Sequence, residues 1–175
     1  MHWLTGKMLE KFSEGQKFGL DIGCGQKKWN QWYRCKHVGI DIYKESKADI
    51  LAAGFALPFK NNTFDFINMF SVLEYIEQDE LVLKEIHRVL KPSGRLLLIS
   101  QNKRATEANI RSDPSKAKLH KHIYTLANIH RKLKSHSLFP INYKHPILFC
   151  LGLYYHLTSV YFFTLAEARK PSNKN

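Results

Sequence analysis

The sequence is poor in acidic residues and in cysteine. Its 175 residues include 15 aspartates and glutamates against 27 lysines and arginines, giving a formal net charge of +12. Such a charge attracts nucleic acid, anionic lipid or a phosphorylated molecule, and does not distinguish between them. The three cysteines are widely spaced and form no CxxC pair. The sequence therefore predicts neither a disulfide framework nor a metal site, and we expect a protein of the reducing cytoplasm.

Several other features are missing. Glycine and proline number only 9 and 6 and follow no period, which excludes collagen-like and other fibrous classes. Residues 1–16 mix charged and apolar side chains without the continuous apolar core of a secretory signal, so we predict a short leading helix there. No repeat or low-complexity linker divides the chain. Because 44% of the residues are hydrophobic, the chain can bury a substantial core, and we predict one domain over residues 1–175.

Short apolar runs typical of buried strands recur along the chain. They lie at residues 18–22, 37–42, 64–70 and 95–100. Between the last two, residues 79–90 have the apolar spacing of an amphipathic helix, which the segment Lys91-Pro92-Ser93-Gly94 ends. This alternation predicts an α/β fold whose mostly parallel sheet is covered by helices on both faces.

The second half of the chain is less regular. Residues 101–122 carry six basic against two acidic side chains, and we predict a mobile basic loop or lid. Residues 125–133 are predicted as a helix capped by Thr125, followed by two strands at 139–143 and 160–168 that pair as an antiparallel edge. Between those strands, residues 145–158 are uncharged and are predicted as an apolar helical insertion. Peripheral contact of this insertion with a membrane is the alternative.

A glycine-containing turn follows the first predicted strand. Asp21-Ile22-Gly23-Cys24-Gly25 stands at the carboxyl end of that strand, where glycines let the backbone turn sharply and approach a ligand. Lys28 replaces the third glycine of a dinucleotide-binding GxGxxG, and no P-loop is present. Asp41 ends the second strand, where a carboxylate can accept hydrogen bonds from two ribose hydroxyls. The two strand ends predict a nucleoside site; the alternative is that both aspartates only cap turns.

These motifs resemble those of the class I S-adenosylmethionine-dependent methyltransferases, specifically the type 11 branch. Residues 21–25 resemble the first motif of that family and residues 39–42 the second. Further similar segments lie at 57–65, 71–76, 85–92 and 168–171. The resemblance covers most of the chain and implies a Rossmann-like methyltransferase fold, with a seven-stranded sheet whose last strand is antiparallel. The short segments that follow residues 25 and 43 imply a trimmed version of it.

The resemblance also implies a role for individual residues in binding S-adenosylmethionine. Residues Asp21, Gly23, Cys24 and Gly25 would form the loop beneath its methionyl part, Asp41 would hold the ribose, Ile42 would pack on the adenine, and the backbone near Phe70 would receive the amino group. At two positions the chain departs from the family, with Lys27 in place of a third glycine and Ala53 in place of an aspartate. An inactive methyltransferase-fold protein that binds or activates a partner is therefore the alternative.

The acceptor side is less defined. Tyr75 follows the fourth strand and is a candidate catalytic residue on the acceptor side. His122 is a candidate catalytic base because imidazole exchanges protons near neutral pH. His120 is open to the same interpretation, and a solvated histidine in a basic loop is the alternative for both. The apolar segment favours a small-molecule or lipid-like methyl acceptor, whereas the basic charge leaves an RNA acceptor open. The sequence does not fix the oligomeric state.

Overall fold

The computed structural model describes residues 2–101, 103–140 and 163–172. Seven strands form one sheet within these residues: β1 (Phe18–Ile22), β2 (Lys36–Asp41), β3 (Ile50–Leu51), β4 (Phe64–Phe70), β5 (Leu90–Gln101), β6 (Phe139–Pro140) and β7 (Phe163–Arg169). Their order is β3-β2-β1-β4-β5-β7-β6. The first five are parallel, and β7 is antiparallel to both β5 and β6. The predicted seven-stranded, mostly parallel fold is thereby confirmed.

Helices flank this sheet. The α-helices of the described residues are α1 (His2–Ser13), α2 (Asp79–Val89), α3 (Lys103–Ser112) and α4 (Leu126–Ser135). The amphipathic pattern of α2 buries Val82, Leu83 and Ile86. As predicted, Thr125 caps α4: its hydroxyl accepts from Asn128 N, while the Asn128 side chain accepts from Thr125 N.

The apolar core divides between the two faces of the sheet. Successive side chains of a strand point to opposite faces, so Leu96 and Leu98 of β5 join one cluster and Leu97 joins the other. The first cluster contains the buried faces of α2 and α4, and the second contains α1. The carboxyl ends of β1, β2 and β4 consequently stand on a sheet supported from both sides, which positions the loops that follow them.

Two sequence predictions need correction. Residues 101–122 were predicted as a loop, but they contain α3 and a short 3-10 helix (Pro114–Lys118). The α3 helix lies at the surface, where polar side chains are compatible with a helix. A Lys103–Glu107 pair and good helix-forming residues stabilise it. The polar composition of this segment therefore did not indicate a loop. β5 begins at Leu90 rather than residue 95, because the chain enters the strand directly from α2 and passes Pro92 and Gly94 within it.

The remaining predictions concern the ends of the chain. The leading helix occupies His2–Ser13 of the predicted 1–16, and the predicted pairing of the last two strands is confirmed by the antiparallel β6–β7 ladder. The predicted apolar insertion at 145–158 lies outside the described residues. No helix among the described residues has the length and apolar character needed to cross a membrane.

Candidate functional site

The loop after β1 folds over the end of β2. Gly23 N and Cys24 N both donate to Ile40 O, at 2.9 and 3.0 Å. Gly23 has φ +75°, and a Cβ there would lie 2.2 Å from Val72 Cγ2. Gly25 has φ +52°, but a Cβ there would meet nothing within 4 Å. Both positions favour glycine for their backbone conformation, whereas only Gly25 faces open space where a ligand can approach.

Cys24 contributes its backbone to this loop. Its side chain packs on β2, since a Cβ added to Gly39 would lie 2.8 Å from Cys24 Sγ. Burial raises the pKa of the Cys24 thiol to about 11. The thiol is therefore protonated at neutral pH and acts as a small apolar group under the loop.

Asp41 joins the ends of the first two strands. Its Oδ2 accepts a hydrogen bond from Gly25 N at 2.9 Å, and its Oδ1 accepts one from Tyr43 N at 3.1 Å. The predicted neighbouring strand ends are thus in direct contact. Asp41 does cap the turn at Tyr43, as the alternative interpretation held, yet each carboxylate oxygen accepts only one of these bonds and has further lone-pair capacity for a ligand hydroxyl.

Exposed apolar side chains lie beside this carboxylate. Ile42 directly follows β2 and is 59% exposed, and Leu51 at the end of β3 and Phe55 are exposed as well. Large apolar groups that follow the carboxyl ends of neighbouring parallel strands provide a surface for a flat, partly apolar ligand. This is where the predicted adenine contact of Ile42 would lie.

A buried polar network lies beneath the glycine loop. Asp21 Oδ1 accepts from Asn68 Nδ2 at 2.8 Å, and the Tyr33 hydroxyl donates to Asn68 Oδ1. Asp21 Oδ2 is buried without a hydrogen-bond partner. Burial raises the pKa of Asp21 to about 6. Asp21 therefore supports the loop from below, and its unpartnered oxygen remains available to a donor.

Two of these interactions were missed by sequence reasoning. Asn68 is buried in β4 against Asp21, and the one signal for it in the sequence is an amide within a mostly apolar strand. Lys27, which stands where the family has a third glycine, pairs its ammonium with the Asp49 carboxylate, which also accepts from Gly39 N at 2.7 Å. Lys27 thus ties the glycine loop to the segment after β2.

Phe70 ends β4 at the same edge of the sheet. Its ring meets Trp29 edge to face, with the centroids 5.6 Å apart. The chain then turns at Ser71, which has φ +55° and donates its N–H to Ile99 O at 2.7 Å. The Phe70 side chain is therefore held by packing, and its backbone lies where a turn leaves the strand toward Val72 and the glycine loop.

The two candidate catalytic residues have different surroundings. The Tyr75 ring is half-exposed and packs on His120, with the centroids 4.8 Å apart. His122 Nε2 lies 3.2 Å from Glu77 O and 3.7 Å from Asp79 Oδ1, at the start of α2. The structure thus brings Tyr75 together with His120, while His122 lies beside the α2 carboxylate.

The carboxylate beside His122 belongs to a polar cluster. Asp79 Oδ2 accepts from the Tyr124 hydroxyl at 2.6 Å and from Lys132 Nζ at 2.8 Å. Burial by itself would raise the pKa of Asp79, but these two donors outweigh it and lower the pKa. In the described parts of the chain, no three His, Cys, Asp or Glu side chains form a group that could hold a metal ion.

Comparison with known proteins agrees with this geometry. Residues 20–98, which include the glycine loop, Asp41 and Tyr75, match the model of a family described as a methyltransferase domain. This segment is a methyltransferase domain. The YcgJ protein from Bacillus subtilis superimposes with a TM-score of 0.71 at 18% identity, covering 99% of this chain and 100% of that one. The two proteins therefore share a fold that extends beyond the matched segment.

Curated proteins similar to this chain include two named methyltransferases. The ubiquinone/menaquinone biosynthesis C-methyltransferase UbiE of Klebsiella pneumoniae is 44% identical over 107 residues, which cover 57% of this chain and 40% of that protein. The demethylmenaquinone methyltransferase of Symbiobacterium thermophilum is 31% identical over 90 residues, covering 51% and 34%. The chain spans less than half the length of the curated relatives that it matches first.

Proposed function

We propose that the chain binds S-adenosylmethionine and transfers its methyl group to a small, lipid-like acceptor. The observation that carries this proposal is the direct contact between Gly25 and Asp41, which joins the ends of β1 and β2 into one cradle. A loop with no side chain at its open position, next to a carboxylate, suits a nucleoside with an extended polar tail. The family match of residues 20–98 supports the same reaction class.

The residues present fit this cofactor. Gly25 leaves space that a Cβ would fill, Asp41 has lone pairs for the ribose hydroxyls, and Ile42 and Phe55 expose apolar surface for the adenine. The two departures from the family leave this cradle open, because Lys27 is turned onto Asp49 and Ala53 adds no bulk. When bound, S-adenosylmethionine supplies a methyl group on a positively charged sulfur, activated for transfer to a nucleophile. The chain's own task is to hold that methyl group and the acceptor in line.

The proposed acceptor is a quinol or a similar hydroxylated aromatic compound with an apolar tail. Two curated relatives are named as a ubiquinone/menaquinone biosynthesis C-methyltransferase and a demethylmenaquinone methyltransferase. On this chain, the exposed ring of Tyr75 and the exposed side chains of Leu119 and Ile123 provide apolar surface near the turn after β4. An RNA acceptor is the competing outcome, because the net charge is +12.

The test is transfer of a radiolabelled methyl group to reduced demethylmenaquinone, to 1,4-naphthalenediol and to total RNA. We expect label in the quinols, with activity that changes little with salt. Transfer to RNA that falls steeply with ionic strength would support the RNA alternative. No transfer to any of the three, in a folded protein that also fails to bind the cofactor, would support the inactive binding protein.

Two carboxyl variants test whether the Asp41 carboxylate of the cradle binds the cofactor. Asp41→Asn removes the charge that holds Gly25 N and the ribose, and since a hydrogen bond to a charged group contributes about 1.5–3 kcal/mol, we expect the KM for S-adenosylmethionine to rise about 10- to 100-fold. Glu45→Gln is the matched control: it removes the same charge from an exposed residue of the neighbouring turn. An equal effect of both variants would show that only the overall charge matters and would contradict the proposed contact.

A further inference from the structure

His120 has one ring nitrogen that is bound and one that is not. Its Nδ1 lies 3.1 Å from Lys116 O, the carbonyl at the end of the preceding turn. Its Nε2 is buried without a hydrogen-bond partner. A buried polar atom without a partner is costly in a folded protein and points to a ligand or a reaction that uses it.

The bound nitrogen determines the tautomer of the ring. A backbone carbonyl only accepts hydrogen bonds, so His120 Nδ1 must carry the proton that is donated to Lys116 O. In the neutral imidazole, Nε2 then has a free lone pair. The local backbone thus prepares His120 as a hydrogen-bond acceptor at Nε2.

The backbone also holds this ring near the cradle. Lys121 N and His122 N donate to Glu74 O at 2.8 and 3.2 Å, which attaches the 120–122 segment to the turn after β4. In the same turn, the Val72 side chain packs against Gly23 of the glycine loop. His120 therefore lies at the carboxyl edge of the sheet, one turn away from the proposed cofactor site.

Several groups surround the imidazole. The Tyr75 ring packs on one side of it, and burial raises the pKa of the Tyr75 hydroxyl, which therefore stays neutral. The Glu74 carboxylate accepts from Ser100 Oγ at 3.0 Å and from Gln101 N at 3.2 Å, at the end of β5. Lys116 and Lys121 are the nearby cations along the chain. The buried Glu74 carboxylate interacts electrostatically with His120, and burial raises the pKa of Glu74.

We propose that His120 is a catalytic residue whose Nε2 takes the proton from a hydroxyl group of the methyl acceptor, while the Tyr75 ring packs against the acceptor's aromatic plane. This role rests on the proposed methyltransferase function. In the step, the acceptor O–H bond breaks, its electron pair stays on oxygen, and the proton binds Nε2 to give an imidazolium that later releases it to solvent. The resulting phenolate is a stronger nucleophile than the phenol, at its oxygen or at a ring carbon.

The first test does not require turnover. Two-dimensional NMR of protein labelled with ¹⁵N-histidine and saturated with S-adenosylhomocysteine reports which nitrogen of each ring carries the proton, and the His120→Asn spectrum assigns the His120 signal. We expect His120 with the proton on Nδ1 and an unprotonated Nε2 that shifts when 1,4-naphthalenediol is added. A proton on Nε2, or no response of Nε2 to the diol, would overturn the proposal.

The second test compares two histidine variants in the methylation of 1,4-naphthalenediol. In His120→Asn, the shorter amide can still donate to Lys116 O but has no Nε2, so we expect kcat to fall about 100-fold or more with unchanged affinity for S-adenosylmethionine. His130→Asn, on the half-buried side of α4, is the matched control and should retain wild-type kcat.

The outcomes separate this inference from the proposed function. Failure of the wild-type protein to bind S-adenosylmethionine refutes the proposed function, whatever the tautomer of His120. Intact cofactor binding without methylation of the diol contradicts the hydroxyl acceptor. A kcat within threefold of wild type for His120→Asn, or a large loss for His122→Asn alone, assigns the proton transfer elsewhere and overturns the role of His120.

Discussion

Replacing each of three glycines by alanine should separate backbone strain, steric clash and loss of ligand space. Gly15, Gly23 and Gly25 all have positive φ, so each alanine variant is destabilised by about 1–2 kcal/mol through the strain of a left-handed backbone conformation. Their surroundings differ. A Cβ at Gly15 or Gly25 meets nothing within 4 Å, whereas a Cβ at Gly23 would lie 2.2 Å from Val72 Cγ2.

The expected magnitudes follow from these environments. Gly15→Ala and Gly25→Ala should each lower the free energy of unfolding by about 1–2 kcal/mol. Gly23→Ala adds the overpacking of Val72, about 1–3 kcal/mol, and should lose about 2–5 kcal/mol in total. Only Gly25→Ala should combine modest destabilisation with a large loss of affinity for S-adenosylhomocysteine, at least about tenfold, because its methyl group fills the open face of the cradle.

Urea denaturation and calorimetric titration of the three variants measure these two quantities separately. Gly15 lies outside the site, just after α1, so Gly15→Ala is the control for strain without ligand contact. If Gly25→Ala bound S-adenosylhomocysteine as tightly as Gly15→Ala, the open face at Gly25 would not be the ligand side. Equal stability of Gly23→Ala and Gly15→Ala would refute the close packing of Val72.

Two further predictions concern stability. Burial raises the pKa of Asp21 from 3.8 to about 6, so the folded protein binds this proton more tightly than the unfolded chain does. The stabilisation that this proton provides is complete below about pH 4 and is lost as the pH rises through about 6. Between pH 4 and pH 7, urea denaturation should show the free energy of unfolding of the wild type falling by about 2–3 kcal/mol relative to Asp21→Asn. A constant difference would refute the raised pKa of the buried Asp21. Thr125→Ala should lower the free energy of unfolding by about 1 kcal/mol through loss of the α4 cap, whereas Thr125→Ser should retain it; equal losses would show that the hydroxyl does not cap the helix.

The central strands and the cradle could be predicted because local sequence determines them. The strands β1 and β4 are short, mostly apolar runs, and their predicted bounds are confirmed. Parallel neighbours bring their carboxyl ends to one edge, so Gly25 and Asp41 could be expected to meet before their hydrogen bond was seen.

The parts that could not be predicted depend on contacts between distant residues. Nothing near Asn68 in the sequence indicates that its amide bonds Asp21 across the β1–β4 pair. The Lys27–Asp49 ion pair and the placement of the 120–122 segment on Glu74 likewise arise only when the chain is folded. His120 and His122 are therefore equivalent as sequence candidates, and only the structure shows that Lys116 O fixes the tautomer of one of them.

Isothermal titration of the purified wild-type chain and Asp41→Asn with S-adenosylhomocysteine tests the cradle most directly. We expect one binding site per wild-type chain and binding at least about tenfold weaker in Asp41→Asn, with NAD giving no comparable heat. Absence of binding by the folded wild-type protein, or equal affinity in wild type and Asp41→Asn, would contradict it.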